Sequence, residues 1–463
     1  MLADNANWLT IDISDYYLGT PLLRPEYLKI GKKFISDTAV KTNRLEEYLS
    51  NGAILFEVTK GICGLPHSGL LAQQRLVAHL AVHGYIQHDR VPCLFAHVTN
   101  GVTFTLVVDD FGIKYHAKEG VLHLISRLQN LYQIKVNWTG SKYLGLTIDF
   151  NEQRTTVSLS MPSYIATLLL RFPTQCTRAS TPSIYDHPTY GSHVQLATTD
   201  SSPELCPAQK THVQAIVSSL LYYARAVDPT MLPAVTAVAS AQAHPTQHVL
   251  DQAQRLLAYA ATYPDNRIVY NKSDMILRVQ SDASYLSRSH SRSVAGGLAY
   301  LVNAESRHNK VNRSINSFSS IIDVVVASAA EAEYAALFSA GQLAAGLHTI
   351  LTALGHLQPP RVLLCDNACA VGLANDTVKM RRSKSIDMRY HWIKDQVKQT
   401  HFNVIWQKGA DNLADFFTKP LPASQHQRLM HKLVASPPMS LSPTTTKHNR
   451  RALQWRQHMS QSI

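Results

Sequence analysis

The stretch TLVVDDFGI, residues 105–113, decides how the first half of the chain folds. Its β-branched and apolar residues predict a strand, and the adjacent Asp109 and Asp110 place two like charges within that run. Two carboxylates at close range cost free energy unless a positive charge lies between them. The pair therefore indicates a strand end that holds a divalent metal ion, with a turn or a solvated strand end as the alternative.

A second aspartate has the same setting. Asp12 lies in LTIDISDYYLGTPL, residues 9–22, and also follows a β-rich run. If the two runs are neighbouring strands, their aspartates meet at one end of a sheet and can hold two divalent ions about 3.5–4 Å apart. That arrangement suits phosphoryl transfer, in which one ion activates the attacking oxygen and the other stabilises the leaving group.

The composition of the chain favours a polyanionic partner. The 463 residues, 45% of them hydrophobic, are enough for two or three domains, and the net charge is +12. Such a basic chain predicts nucleic acid first and an anionic membrane surface second. We expect an intracellular protein without a membrane span, because no run approaches the roughly 18 uncharged apolar residues that cross a bilayer. The six cysteines form no CxxC pair, which argues against a zinc ribbon or a disulfide framework.

The order of strand-like and helix-like runs predicts a multidomain chain of the α+β and α/β classes. Strand patterns alternate with helical patterns at both ends of the chain, and a Pro-, Ser- and Thr-rich stretch separates them. The predicted parts are an α+β domain over 1–160, a linker over 161–212, a helical segment over 213–270, an α/β domain over 275–425 and a disordered basic tail over 436–463.

Four further acids follow one another in the predicted α/β domain. They are Asp282 in VQSDASY, Glu333 in ASAAEAEYAALFSA, Asp366 in LLCDNACAV and Asp415 in GADNLADFFTKPL. Glu331 lies about 200° round the helix from Glu333, so the two cannot share a face. Any one acid alone is more simply a solvated charge or a helix cap. Four carboxylates can instead hold two Mg²⁺ ions on either side of a scissile phosphate.

Several motifs resemble those of the Pol region of Ty1/copia-type retrotransposons. They are IDISDYYLGTPL at 11–22, the GL motif KGICGLPHSGLLAQQRL at 60–76, the YVDD-like LVVDDFGI at 106–113, the hairpin KYLGLTIDF at 142–150 and the basic block RRSKSIDMRYHW at 381–392. The four later acids resemble the ribonuclease H arrangement. Within that resemblance Asp415, rather than Asp411, falls in the ADxxTK ending of the copia group.

The resemblance implies a partial right-hand polymerase palm with a helical thumb or connection, followed by a ribonuclease H-like mixed-sheet domain. It also implies an RNA-directed DNA polymerase with ribonuclease H activity and two Mg²⁺ or Mn²⁺ ions at each active site. The expected partners are an RNA template, a DNA primer and product, an RNA–DNA hybrid and deoxynucleoside triphosphates, with no membrane. The expected locations are cytoplasmic particles and the nucleus.

Carried over to this sequence, the resemblance gives roles to individual residues. The metal ligands would be Asp12, Asp109 and Asp110 in the polymerase and Asp282, Glu333, Asp366 and Asp415 in the nuclease. Tyr17 would be the aromatic steric gate against ribonucleotides, with core packing as the alternative, and His67 replaces a glutamine that touches the incoming nucleotide. Backbone phosphates would be met by Arg381, Arg382, Lys384 and Arg389, unless the block is a solvated basic loop.

The sequence departs from the family at its start. Asp12 lies close to Met1, so the fingers strands that carry the family's triphosphate-binding cations are expected to be missing. We therefore expect a truncated copy. The alternative function is a remnant with an inactive polymerase that retains only ribonuclease H activity or nucleic-acid binding.

Overall fold

The computed structural model describes residues 2–174, 178–185, 200–306, 311–378 and 387–436, without the side chains of 387–390. The first part of the chain contains β1 (Asn7–Ile13), β2 (Pro21–Gly31), α1 (Asp37–Thr42), β3 (Ala53–Lys60), α2 (Ser68–Val82), β4 (Tyr85–His88), β5 (Val91–His97), β6 (Thr103–Val107), β7 (Asp110–Tyr115), α3 (Lys118–Gln129), β8 (Ile134–Asn137), β9 (Lys142–Tyr143), β10 (Leu146–Phe150), β11 (Thr156–Ser160) and α4 (Tyr164–Arg171).

The second part contains α5 (Pro207–Ala226), α6 (Leu232–Ala241), α7 (Gln247–Thr262), β12 (Arg267–Asn271), β13 (Ile276–Arg288), β14 (Arg292–Val302), β15 (Asn316–Ile321), α8 (Ala329–Ala353), β16 (Arg361–Cys365), α9 (Ala368–Ala374), α10 (Asp387–Lys398), β17 (Phe402–Trp406) and α11 (Ala423–Leu433). The described residues form a mixed α/β chain with several sheets.

The N-terminal unit is built on a six-stranded antiparallel sheet in the order β4-β5-β6-β7-β1-β8. Leu9, Ile11 and Ile13 of β1 are buried on one face of this sheet, in a core that includes residues of α2 and α3. Because side chains alternate along a strand, Asp12 lies on the other face. The apolar alternation of β1 thus places a carboxylate where it is accessible.

Two smaller sheets flank this unit. The hairpin of β2 and β3 is a two-stranded sheet, and the second sheet has the order β12-β11-β10-β9. In it, β12 pairs with β11, with Arg267 opposite Ser160. The segment 213–270, predicted as helical, therefore ends in a strand, because the β-branched pair Ile268 and Val269 continues the ladder.

A helical bundle lies between β11 and β12 in the sequence. It consists of α5, α6 and α7 together with α4, whose Ile165 and Leu168 are buried in the bundle core. The predicted linker 161–212 thus contains a helix, because these apolar residues lie at helical spacing. Pro207 occupies the first turn of α5, where a missing N–H costs nothing.

The C-terminal unit has a five-stranded sheet in the order β15-β14-β13-β16-β17. The hairpins β13–β14 and β14–β15 are antiparallel, whereas β13–β16 and β16–β17 are parallel. Helix α8 packs against β13 and β14 through small side chains such as Ala336 and Ala340. Small residues let the helix backbone come close to the sheet, which brings its first turns near the middle of β13 and the end of β16.

The expectation that no apolar run approaches membrane-spanning length is wrong for α8. Among the described helices it alone is long and apolar enough to cross a membrane by length and composition. Ala344 and Leu351 are buried within the protein, and a core helix packed on a sheet meets the same criterion. The apolar composition of α8 is explained by its contact with the sheet.

Candidate active sites

Four carboxylates of the C-terminal unit converge from four different elements. Asp282 lies within β13, and Asp366 directly follows β16. Because Gln280 is opposite Leu364 in the parallel register, Asp282 and Asp366 lie at the same level of the sheet. Glu333 lies in the first turns of α8, and Asp415 in a 3₁₀ turn, Leu413–Phe417. The four acids thus come from two strands, one α-helix and one 3₁₀ turn.

Gly296 explains how the 3₁₀ turn comes so near the sheet. It lies opposite Asp282 in the β13–β14 ladder. A Cβ atom there would lie 2.7 Å from Cγ2 of Thr418 and 2.9 Å from Cβ of Phe417, closer than real Cβ contacts. The absence of a side chain at Gly296 therefore lets the segment that carries Asp415 pack directly on the strand.

Hydrogen bonds hold this segment in place. Oγ1 of Thr418 donates to Oδ2 of Asp282 at 2.5 Å, and Oγ of Ser284 donates to the carbonyl oxygen of Thr418 at 2.9 Å. Nδ2 of Asn412 donates to the carbonyl oxygen of Ser281 at 2.9 Å. Both ends of the turn are thus attached to β13, the strand that carries the first acid.

Asp366 is positioned by the neighbouring strand. Nε1 of Trp406 donates to the carbonyl oxygen of Asp366 at 2.8 Å, and the side chain of Asn412 hydrogen-bonds its carboxylate. A Cβ atom at Gly409 would lie 3.0 Å from Oδ2 of Asp366. These contacts fix the end of β16 beside the acid cluster.

Burial and mutual repulsion dominate the electrostatics of the cluster. Burial first, and then neighbouring carboxylates, raise the pKa of Glu333 and of Asp282 above their ordinary values. The pKa of Asp366 is also raised, mainly by burial and in part by Asp415. Asp282, Glu333 and Asp366 therefore resist being ionised together unless positive charge is added.

Lys419 supplies one such charge. Its Nζ lies 2.5 Å from Oδ1 of Asp415, one helical turn earlier in the sequence. Burial acts to lower the pKa of Lys419, but Asp415, Asp282 and Asp366 raise it by more, so the net pKa is raised. One ammonium group cannot neutralise four carboxylates.

The cluster fits a hard divalent cation. Ligand atoms of Glu333, Cys365 and Asp366 all lie within 4.8 Å of one another. Burial and Glu333 raise the pKa of the Cys365 thiol, whose Sγ lies 3.9 Å from Oε2 of Glu333. Because the thiolate is the metal-binding form, Cys365 is a poor ligand here and the carboxylate oxygens are the better ones. Oxygen ligands are those that Mg²⁺ prefers.

The acids of the N-terminal unit lie at paired strand ends. Asp12 is directly opposite Asp110 in the β1–β7 ladder, and the amide of Ile13 donates to the carbonyl oxygen of Asp109 at 3.1 Å. Burial, followed by the charges of Asp109 and Asp12, raises the pKa of Asp110. The structure therefore brings together the three acids that the sequence singled out.

The turn that presents Asp109 is strained. Val108, between β6 and β7, has a φ of 59°. A β-branched residue in the left-handed region costs free energy, and such strain gathers at functional sites. Oδ2 of Asp12 lies 3.7 Å from Nζ of Lys135, an exposed pair. A cleft of about 250 Å³ is lined by Asp12, Asp110, Lys135 and Tyr143.

Curated relatives match most of the chain. It is 24% identical over 383 residues to the Pol polyprotein of transposon TNT 1-94 from Nicotiana tabacum, covering 80% of this chain. It is 26% identical over 382 residues to the Pol polyprotein of transposon RE1 from Arabidopsis thaliana, covering 81% of this chain. It is 22% identical over 450 residues to the Ty1-JR2 Gag-Pol polyprotein from Saccharomyces cerevisiae, covering 93% of this chain. Its homologues are Ty1/copia-type Pol polyproteins.

The resemblance seen in the sequence motifs is thereby confirmed at the level of Ty1/copia-type Pol. The chain spans about a quarter of the length of these polyproteins, at 27%, 25% and 24%. No protein-family model matches it.

Solved structures with some likeness to this Ty1/copia-related chain include reverse transcriptases and ribonucleases H. One is the foamy viral protease-reverse transcriptase in complex with an RNA/DNA hybrid, at 12% identity and a TM-score of 0.45, covering 90% of this chain and 45% of that one. Another is LC11-RNase H1 in complex with an RNA/DNA hybrid, at 12% identity and a TM-score of 0.23, covering 31% and 93%.

The two residues proposed to meet a nucleotide lie at the start of α2. A Cβ atom at Gly69, in the first turn, would lie 3.7 Å from the ring of Tyr17. His67 immediately precedes the helix, and its Nε2 lies 3.3 Å from Oε1 of Glu26 on the exposed side. The structure thus places Tyr17 beside the first turn of α2 and His67 directly before that helix, and their roles stay predictions.

Glu331 and Asp411, the two nearby acids that were not predicted to bind metal, have other surroundings. Oε2 of Glu331 accepts a hydrogen bond from the amide of Ala327 at 2.7 Å, at the start of α8. Asp411 ends a separate 3₁₀ turn, Gly409–Asp411, and its carbonyl oxygen accepts from Gln280. Three of the basic residues predicted to meet phosphates, Arg381, Arg382 and Lys384, lie outside the described residues, as does the side chain of Arg389.

Sequence reasoning missed four residues around the acid cluster. Cys365, Asn412, Thr418 and Lys419 all contact or surround the carboxylates. Two of them could have been found, because Thr418 and Lys419 are the last residues of the quoted ADxxTK ending, and Lys419 lies four residues after Asp415.

Proposed function

We propose that this chain is the RNA-directed DNA polymerase and ribonuclease H portion of a copia-type retrotransposon Pol polyprotein. The observation that carries the proposal is the convergence of Asp282, Glu333, Asp366 and Asp415 from four elements of one α/β unit. The paired strand ends that bear Asp12 and Asp110 support a second catalytic site. Both sites would act on nucleic acid with two Mg²⁺ or Mn²⁺ ions each.

At the nuclease site, the protein's part is to hold oxygen ligands in a fixed array. Thr418 orients Asp282 through the 2.5 Å hydrogen bond, Asn412 orients Asp366, and Lys419 balances the charge of Asp415. Bound ions would supply the positive charge that activates a water molecule and stabilises the leaving oxygen. The burial of Glu333 keeps bulk water from competing for the same ligands.

At the polymerase site, Asp12, Asp109 and Asp110 would hold the ions, and the ions would supply the positive charge that activates a primer 3′-oxygen for attack on a deoxynucleoside triphosphate. Tyr17 would exclude a ribose 2′-hydroxyl, and His67 would donate a hydrogen bond to the incoming nucleotide. The open cleft beside Asp12 and Asp110 offers space for a primer end.

A second candidate function is ribonuclease H activity alone. It is favoured by the difference between the two acid sets: Asp282 and Glu333 are buried, whereas Asp12 is half exposed and forms an ion pair with Lys135. A lysine at that distance competes with a metal ion for the Asp12 carboxylate.

Primer extension on an RNA template with Mg²⁺, measured beside cleavage of a labelled RNA–DNA hybrid, tests both candidates. Extension and cleavage together support the full proposal. Cleavage without extension supports the nuclease alone. A folded protein that does neither contradicts the proposal.

A further inference from the structure

A cavity of about 380 Å³ lies between the helical bundle and the C-terminal unit, apart from both acid sets. Its wall is formed by α6, the ends of β13 and β15, Val294 and Ala295 of β14, and one face of α8. Most of its polar lining consists of hydroxyl and amide groups, which are Thr236, Ser240, Ser319, Ser320, Ser339 and Gln342. Such groups suit a polar ligand better than an apolar one.

Arg288, the last residue of β13, is the one cation among the residues that line this cavity. No described carboxylate lies within 4.0 Å of its guanidinium, although Asp323 lines the same cavity at a greater distance. Burial lowers the pKa of Arg288. The charge of this arginine has lost part of its hydration without gaining a partner within the described part of the chain, a costly arrangement that an anion would relieve.

The neighbouring strand adds a second arginine. Arg292, the first residue of β14, is directly opposite Arg288 in the ladder, and the hairpin between them has the sequence RSHSR at 288–292. Like charges directly opposite each other on paired strands are destabilising. His290 lies in the same turn. The hairpin therefore carries two arginines on paired strands, and the first of them, Arg288, lines a cavity rich in hydroxyl groups.

We propose that Arg288, with the hydroxyl groups of this cavity, binds a phosphate of a nucleic-acid backbone at a distance from the catalytic carboxylates. The inference rests on the proposed function, because it takes that function's substrate as the ligand. The planar guanidinium group matches a phosphate in a bidentate geometry, and serine and threonine hydroxyls are frequent phosphate donors. Arg292, the ladder partner of Arg288, would meet the same strand.

The position of Arg288 favours a polymer backbone over a free phosphate. Arg288 is six residues beyond Asp282 on β13, at most about 20 Å at roughly 3.3 Å per residue. That span corresponds to about six base-pair steps of a duplex at roughly 3.4 Å each. One nucleic-acid strand bound at the carboxylates can therefore reach the hairpin tip.

The test is equilibrium binding of the full chain to a fluorescently labelled RNA–DNA hybrid, measured by anisotropy over a series of salt concentrations with EDTA present to prevent cleavage. We expect Arg288→Gln to weaken binding about 10-fold. The plot of log affinity against log salt concentration should become less steep by about 0.9, the value for one phosphate contact. Arg288→Lys should restore the slope and part of the affinity, because it keeps the charge but loses the bidentate geometry.

Arg361→Gln is the matched control. Arg361 is the first residue of β16, at the opposite end of that strand from Asp366. It is also partly buried and packs on the ring of Phe402. Its loss removes the same charge and should leave the salt slope unchanged. The melting temperature of Arg288→Gln should not fall, because no described ion pair is lost, whereas a purely structural role would lower it.

Two outcomes overturn the inference while leaving the proposed function intact. One is that Arg288→Gln, like Arg361→Gln, binds the hybrid as tightly as the wild-type protein does. The other concerns inorganic phosphate, added at the same concentration as the phosphate groups of the hybrid. If it removes the difference in hybrid affinity between wild type and Arg288→Gln, the cavity is a site for small anions. Wild-type protein that does not bind the hybrid at all overturns the proposed function and this inference together.

Discussion

Asp12 and Asp110 are held by the pairing of two strands and remain accessible, whereas Asp282 and Glu333 are buried beneath a turn and a helix. Strand pairing brings the N-terminal acids together at a lower cost in free energy, because the Asp12 side chain stays about half exposed to water. A buried cluster needs extra contacts, and here Thr418, Asn412 and Lys419 provide them. The buried carboxylates of the C-terminal unit should therefore depend more strongly on a bound metal ion than the accessible carboxylates of the N-terminal unit.

The largest expected effect is the separation of the two sites. Asp282→Asn should reduce hybrid cleavage by more than about 100-fold, since loss of even an outer hydrogen-bond partner costs a metal site 10- to 100-fold. Primer extension should persist. Asp109→Asn should do the reverse, and both activities are measured on each variant. If either change removed both activities from folded protein, the assignment of two independent sites would be wrong.

A change at Gly296 should damage the buried cluster without touching a carboxylate. Gly296→Ala forces a Cβ atom against Thr418 and Phe417, so we expect the free energy of unfolding to fall by about 1–3 kcal/mol. Hybrid cleavage should fall with it, because Asp415 moves, and primer extension should not.

Gly346→Ala is the matched control. Gly346 lies in α8 with nothing within 4 Å of an added Cβ, and the change should stabilise the helix by up to about 1 kcal/mol. Urea denaturation gives both free energies. Equal effects of the two changes would contradict the close approach at Gly296.

The buried cluster should also make metal-free stability depend on pH. The folded pKa values of Asp282 and Glu333 are raised, so the folded protein keeps protons that the unfolded chain releases above the ordinary values of 3.8 and 4.5. The unfolding free energy in EDTA should therefore be highest at low pH and decrease as pH rises through the raised values. Urea denaturation between about pH 5 and pH 8 measures this slope.

Glu333→Gln should flatten that slope. Glu331→Gln, two residues away, should keep that slope. It should lower stability by less than about 1 kcal/mol, because the glutamine oxygen can still accept the hydrogen bond from Ala327 and only the negative charge near the start of α8 is lost. A flat profile for the wild-type protein would show that the carboxylates are not destabilised by burial.

The smallest effect is expected at the exposed site. Lys135→Met removes the partner of Asp12, and both side chains are more than one third exposed, at 78% and 46%. We expect the unfolding free energy to change by less than about 1 kcal/mol. A larger loss would mean that the N-terminal acids also depend on a neighbouring cation.

Much of the site geometry could be predicted because it follows simple periodicities. The two-residue alternation of β1 places Asp12 away from the core, and the helical turn separates Glu331 from Glu333. What the sequence could not indicate depends on tertiary contact. The need for Gly296 arises only when Thr418 packs against it, and the raised pKa of Glu333 arises only from burial.

The same limit applies to the fold. The apolar pattern predicted the strands around Asp12 and Asp109, but the helix Tyr164–Arg171 was hidden in a stretch predicted as linker. It is short, and its stability comes from burying Ile165 and Leu168 in the bundle. The pairing of β11 with β12 was also missed, since the two strands are separated in sequence by the whole bundle.

Because of that pairing, the helical bundle is an insertion between two neighbouring strands of one sheet. The chain leaves the sheet at Ser160 and returns at Arg267, its ladder partner, so entry and exit lie side by side. Joining two such distant residues costs loop-closure entropy, which collapse of the bundle reduces by shortening the effective loop. The helices should therefore assemble before β11 and β12 form their hydrogen bonds. A deletion that replaced the helices with a short turn would leave the β11–β12 ladder continuous.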